Sequence, residues 1–289
     1  MSRRGGCVGG STGVRVFACV PSHVDAQRFP FPTPASSPAP APSPTQRPLS
    51  TGPSREVIIE RFEDRSPTLW SDGNRSALPG LVRRTLSDSA VLTLDACGGK
   101  HGSRVDVELL RYLRSERIPA VVFMNLRWAQ ANPKAFGELA EDSDLFEIGN
   151  HGSRHVPLSV TGRSQYGIPG THDAGQVFDE IMANHKFLTR ELGQPPRYFR
   201  TGTAWYDDVA VEIVRACGEI PVGFDINGDA GATFTASQVA QAVQQATAGS
   251  IILCHCNQPR GDTYEGLRQS LPKLRASGLQ FSTLSEAGV

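Results

Sequence analysis

Ala90-Val-Leu-Thr-Leu-Asp95 is a short, mostly apolar run that stops on a carboxylate. Six runs of strand length follow it, at 120–124, 145–148, 198–200, 221–225, 250–255 and 279–283. Between them, apolar residues recur three or four apart, the period of an amphipathic helix. The clearest such segment is Asp173 to Leu192, with Val177, Ile181, Leu188 and Leu192 on one stripe. Gly193 then supplies a left-handed cap, and Pro195 and Pro196 forbid continuation. Another helix starts at Thr235, which forms a capping box with Gln238, and runs through Val239 and Val243 toward Gly249. Strand and helix in alternation imply parallel strands joined by helical crossovers. About seven such units predict an α/β fold, a distorted (β/α) barrel, over residues 85–289.

The chain before the barrel has a different character. Residues 1–28 hold Arg3 and Arg4, then a short apolar run interrupted by Arg15, the outline of a degraded secretion signal. Residues 29–84 read as a linker and lead-in. From Phe29 to Pro53, Pro, Ser, Ala and Thr dominate, and such a stretch buries too little apolar surface to offset its ordering entropy. From Ser54 to Pro79 the pattern assigns no element. No run approaches the roughly 20 apolar residues that span a bilayer. The 29 basic and 29 acidic residues cancel, so there is no basic footprint for nucleic acid. A neutral or polar substrate suits this balance.

Six cysteines form no CxxC pair. Cys254 and Cys256 flank His255, but alternation along a strand turns both away from the imidazole, and they read as small buried hydrophobes.

In a parallel βα barrel every C-terminal strand end opens onto one face, which carries the active site. The polar residues at the ends of the runs are Asp95, His151 and His155, Arg200, Asp225 and His255. Glu147-Ile-Gly-Asn-His151-Gly-Ser-Arg-His155 is the most specific local signal. Wound as a helix, it would place its two imidazoles on one side, about 5–6 Å apart at Cβ. Neutral imidazoles are good donors to zinc and related divalent ions.

With these residues in place, the chain resembles the polysaccharide deacetylase family, also called the nodulation-deacetylase homology domain. The resemblance spans about Ala90 to Glu286. It rests on Thr93-Leu-Asp95, His151-Gly-Ser-Arg-His155, Tyr198-Phe-Arg200, the Asp225–Asp229 segment and Leu253-Cys-His255, in the family's order. It implies a metal-assisted hydrolase that removes N-acetyl groups from a glycan of peptidoglycan or chitin type, outside the cytoplasm or at the cell envelope. It also implies Asp95 as catalytic base, His151 and His155 as metal ligands, His255 as general acid and Arg200 as the group orienting the base. The metal expected is zinc. An aspartate beside His255 would favour its charged form, and Asp225 and Asp229 are both candidates.

Two positions depart from the family pattern. A second aspartate usually follows the base and completes the metal site, whereas this chain has Ala96. The third donor must come from elsewhere, from water, or from Asp95 itself. The run Cys97-Gly98-Gly99 after it indicates a reshaped loop with close backbone approach. The arginine motif continues as Thr201-Gly-Thr203-Ala-Trp205-Tyr206 in place of the usual proline and tyrosine. There Thr203 is a candidate oxyanion donor through its N–H, Trp205 and Tyr206 are candidates to stack on a sugar ring, and Asn257 is a candidate partner for sugar hydroxyls. Ala96 keeps two alternatives open: a metal-independent hydrolase of a non-sugar amide, and a glycan-binding protein without turnover.

Overall fold

The computed structural model describes residues 52–289. The signal-like segment 1–28 and the linker up to residue 51 lie outside the described residues. Seven parallel strands form a curled half-barrel, in the order Ile220–Pro221, Tyr198–Phe199, Phe146–Asn150, Ala120–Met124, Ser89–Ala96, Ile251–His255 and Ile226–Asn227. Gln280–Phe281 adds a short parallel pairing to the start of the Ser89–Ala96 strand. The expected distorted barrel is present, with one change of layout. The run 221–225 is not a single strand: the chain leaves the sheet after Pro221 and re-enters it at Ile226.

The central strand shows how the sequence sorts itself. Every residue of Ser89–Ala96 is buried. Leu92, Leu94 and Ala96 pack outward into the layer shared with the covering helices, while Val91 belongs to the cluster inside the curl. Strand alternation therefore turns Thr93 and Asp95 inward with Val91. Both faces are covered, as a parallel sheet requires, so the strand reads as a near-continuous apolar run. Each fully buried leucine contributes about 1.5–3 kcal/mol. The same alternation holds in Ile251–His255: Cys254 lies in the helix-side layer, whereas Ile251 and Leu253 face inward. Cys256 also belongs to the outer layer, so the two cysteines flanking His255 are core residues, as their spacing predicts.

The covering helices end where their caps dictate. Asp173 accepts a hydrogen bond from Gln176 N at 2.8 Å and opens Ala174–Leu192, and Gly193 closes that helix at φ 73°. Thr235 and Gln238 form the predicted capping box, but the helix runs only over Ala236–Val243. Residues 54–62, where the pattern assigns nothing, form a helix, Arg55–Phe62, capped by Ser54. Ile58 and Phe62 are buried beside Val177 and Ile181 of the long helix. This contact is invisible to periodicity because two anchoring side chains in eight residues make no stripe.

Candidate active site

The parallel register sets the centre of the site. Asp95 and His255 are direct partners on adjacent strands, so residues remote in sequence become neighbours at the C-terminal rim. Asp95 is 3% exposed. Its Oδ1 accepts from Arg200 Nη1 at 2.9 Å, and the same nitrogen donates to Thr93 Oγ1 at 2.6 Å. Arg200 is wholly buried, donates Nη2–H to the Gly223 carbonyl at 2.7 Å, and lies over the Phe123 ring at 4.3 Å. Burial alone would raise the Asp95 carboxyl, but His151, Arg200 and His255 together hold it below its ordinary range. Asp95 is thus held as an ionised carboxylate with Oδ2 turned toward His151 Nε2, 3.6 Å away.

His255 is held from behind by Asp229, not by Asp225. Its Nδ1 lies 2.9 Å from Asp229 Oδ1, and its backbone N–H donates to Asp229 Oδ2 at 2.7 Å. Asp229 is fully buried and also accepts from Thr263 Oγ1 at 2.9 Å. Burial opposes a charged imidazole, yet Asp229 outweighs it and the His255 pKa stands well above the usual histidine value. Asp225 is at the opposite end of the sheet. It accepts from Ile251 N at 2.7 Å and Ser250 Oγ at 3.0 Å and pairs with Arg84. Four residues of strand, about 13 Å, separate that position from His255. The break after Pro221 is the cause: Asp225 precedes a strand instead of ending one, and only Asp229 lies beyond that strand's C-terminal end.

The His151–His155 segment is a loop, not the helix that its spacing allows. His155 has φ 61°, and the two rings meet edge to face with centroids 4.9 Å apart. The loop is built around a carboxylate that the sequence reading missed. Glu180, 1% exposed on the long helix, accepts from the backbone N–H groups of Ser153, Arg154 and His155 at 3.1, 2.9 and 2.9 Å through Oε1. Gly152 passes so close that a Cβ there would lie 2.5 Å from Glu180 Oε1. Asn125, at the end of the neighbouring strand, donates Nδ2–H to the carbonyls of His151 and Gly152 at 3.0 and 2.8 Å. His151 Nδ1 lies 2.8 Å from the Arg200 carbonyl and donates its proton there; burial opposes a charge on the ring, but Asp95 raises its pKa, and a metal at Nε2 would take the place of the second proton.

One more donor faces these imidazoles. Cys97 Sγ lies 3.8 Å from His151 Nε2, and donor atoms of Cys97, His151 and His155 all fall within 4.8 Å of one another. Burial would raise the Cys97 thiol, but the imidazoles of His155, His255 and His151 bring it well below the ordinary thiol range. Sulfur and nitrogen donors so arranged, with the His151 Nδ1 proton held by a carbonyl, suit a divalent metal.

Above this floor is a cavity of about 410 Å³ lined by Asp95, His155, His255, Thr203, Tyr166 and Asp72, among others. Thr203 has φ 71°, and its buried hydroxyl has no hydrogen-bond partner. Trp205 and Tyr206 are not on the rim: both are buried. Tyr206 belongs to the core, where its OH accepts from Thr201 N at 2.8 Å. Trp205 stacks on Trp70 at 5.6 Å and donates its indole N–H to the Tyr166 hydroxyl at 3.3 Å. Tyr166, 68% exposed, borders the cavity, and the buried Phe224 also lines it. Asn257 is 1% exposed; its Nδ2 donates to the Gly102 carbonyl at 3.0 Å and holds the 98–102 loop, while its buried Oδ1 has no hydrogen-bond partner.

Fold and site together define an α/β half-barrel with a histidine-rich centre at the C-terminal ends of its strands. Residues 83–220 match the model of the polysaccharide deacetylase family, the family that the sequence motifs resemble. No curated protein sequence matches the chain. Among solved structures it is similar to a family 4 carbohydrate esterase pseudoenzyme from Bacillus anthracis (TM-score 0.59, 20% identity, 74% of this chain and 70% of that one). A peptidoglycan N-acetylglucosamine deacetylase solved with a hydroxamate-type benzamide is similar to the same degree (TM-score 0.59, 19% identity, 72% and 92%). So is a family 4 acetyl xylan esterase from Clostridium thermocellum solved with cobalt (TM-score 0.55, 23% identity, 68% and 89%). At these identities the likeness establishes the fold. No helix among the described residues is long and apolar enough to cross a membrane.

Proposed function

We propose that this chain is a metal-assisted hydrolase that removes N-acetyl groups from a glycan of peptidoglycan or chitin type, acting outside the cytoplasm where such polymers lie. The observation that carries the reading is the pairing of Asp95 with His255 across one cavity, a base held ionised beside an acid held protonated. Two titratable groups whose surroundings drive them toward opposite charge states mark an acid–base couple. A divalent ion, zinc by expectation, would sit against His151 and His155 and supply polarisation of the amide carbonyl and a more acidic water.

The chain's own residues then divide the work. Asp95 accepts a proton from the attacking water through Oδ2, while Arg200 keeps Oδ1 occupied and the carboxylate oriented. Water oxygen bonds to the acetyl carbon, the carbon–nitrogen bond breaks, and His255 delivers its proton to the departing amine. Acetate and a free amino sugar result. The Thr203 N–H and its unpartnered hydroxyl are candidate donors to the acetyl oxygen. Tyr166 offers a face for a sugar ring, held in place by Trp205.

The test is acetate release from acetylated chitooligomers and peptidoglycan fragments. Release that stops with a chelator and returns with a divalent metal is expected. Asp95→Asn and His255→Ala should each lower kcat by about 10²–10⁴-fold while the protein stays folded. Chelator-insensitive turnover of a non-sugar amide would replace this reading with the metal-independent one. Glycan affinity without turnover would mark a non-catalytic binder; the B. anthracis relative is described as a pseudoenzyme.

A further inference from the structure

We propose that Cys97 supplies the missing third protein donor as a thiolate, making the centre a Cys–His–His site that selects thiophilic divalent ions, zinc foremost, over magnesium, calcium or manganese. The proposal rests on the reading that this centre holds a metal, and it adds which atom completes the site and which ion follows from it.

The argument begins with strand alternation. Asp95 faces into the curl and Ala96 faces the helix-side layer among Leu92, Leu94 and Met124. Residue 97 returns to the side of residue 95. Ala96 carries no donor atom, whereas the Cys97 thiol one residue on faces the two imidazoles. Distance agrees. Tetrahedral zinc with bonds of about 2.3 Å to sulfur and 2.0–2.1 Å to nitrogen would set those two donors roughly 3.6 Å apart. Cys97 Sγ and His151 Nε2 are 3.8 Å apart.

The backbone holds that thiol in place. Gly98 and Gly99 take φ 74° and 82°, and Gly98 N donates to Gly102 O at 2.9 Å. A Cβ at Gly98 would lie 2.6 Å from Trp128 N, so only glycine lets the loop turn tightly enough there. The loop is not simply a wide connection with a cysteine in it. The other described cysteines differ: Cys217, Cys254 and Cys256 are buried within apolar clusters.

The exchange keeps the charge and changes the chemistry. A thiolate carries the same single negative charge as a carboxylate ligand, so the electrostatics of the centre are preserved. It is a softer donor, which favours zinc and disfavours ions that prefer all-oxygen sites. With the thiolate as third donor, Asp95 Oδ2 is left for proton transfer while Arg200 holds Oδ1.

Cobalt(II) titration of the full-length apoprotein tests this without reference to turnover. Cobalt bound by the wild type is expected to show a thiolate-to-metal charge-transfer band in the near ultraviolet. Cys97→Asp should bind cobalt without that band. Cys97→Ser serves the same purpose if the aspartate variant does not fold. In competition dialysis, Cys97→Asp should also lower the preference for zinc over manganese by about tenfold or more. Identical cobalt spectra in wild type and variants would overturn the Cys97 assignment and leave the metal reading standing. Binding of no cobalt by any of the folded proteins would overturn both.

Discussion

His255 and the His151–His155 pair reach the same cavity by opposite routes. His255 ends a strand, and its direction is set by a register that pairs it with Asp95. Its partner Asp229 then supplies charge, one side-chain contact and an acceptor for the His255 backbone N–H. The paired histidines ride on an irregular loop, where no ladder fixes the backbone. Three backbone N–H groups there converge on Glu180, two carbonyls are held by Asn125, and the Gly152 N–H goes to Asn150 Oδ1 at 2.9 Å. Behind Asn150, Asn184, Glu219 and His185 continue the buried network. A strand end receives its geometry from the sheet, whereas a loop must receive it from buried polar side chains, each costly if left unsatisfied.

The comparison breaks most sharply at Glu180. Glu180→Gln keeps the volume but replaces two acceptor oxygens by one acceptor and one donor, which faces backbone N–H groups that also donate. Hydrogen bonds to a charged group contribute about 1.5–3 kcal/mol each, so a loss of about 3 kcal/mol in urea unfolding is expected, the largest stability effect at the site. Metal affinity should fall by 10–100-fold, the usual effect of removing an outer partner of a ligand. Retained metal affinity with unchanged stability would show that the loop holds its own shape and the contrast with His255 is false.

What could be read in advance follows the same division. Asp95, Arg200 and His255 terminate strands, and strand ends show as apolar runs that stop on a polar residue, so their convergence follows from the fold class. Asp225 misled because one apolar run concealed a break after Pro221, and the break exchanged a C-terminal strand end for an N-terminal one. Glu180 lies on the amphipathic helix, where a single buried glutamate looks like any polar residue between stripe positions. The only advance sign of its role was Gly152, whose need for a small residue has no meaning until the carboxylate is placed. Trp205 and Tyr206 looked like rim aromatics because they follow a strand end, but their rings turn down into the core and the exposed ring is Tyr166, in a turn where φ is 52°. Cys97 was legible only as loop chemistry. Its closeness to two imidazoles comes from the Gly98 turn and the His151 loop together, and no local pattern encodes the meeting of two loops.

The strand-borne side sharpens through pH. Asp229→Asn removes the charge that keeps His255 protonated, so the folded pKa of His255 must fall. The acid form is then lost at lower pH, and the alkaline limb of kcat/KM should move downward. The acid limb, set by Asp95, should move little, because Asp95 is held down chiefly by His151 and Arg200. A kcat/KM lower by about tenfold or more near neutral pH is expected, within what a general acid supplies. An unmoved alkaline limb would mean that His255 is not the proton donor.

The smallest effect belongs at the far end of the same strand. Asp225→Asn leaves Ile251 N with an acceptor but loses the charge opposite Arg84, whose side chain is half exposed. A partly exposed ion pair contributes about 1 kcal/mol or less, so unfolding should shift slightly. The kcat/KM, its pH profile and the metal affinity should all match wild type, because about 13 Å of strand stands between this carboxylate and His255. A displaced pH profile in Asp225→Asn, at unchanged stability, would mean that the base of the barrel communicates with the rim and that the strand is not the rigid spacer its hydrogen-bonded register implies.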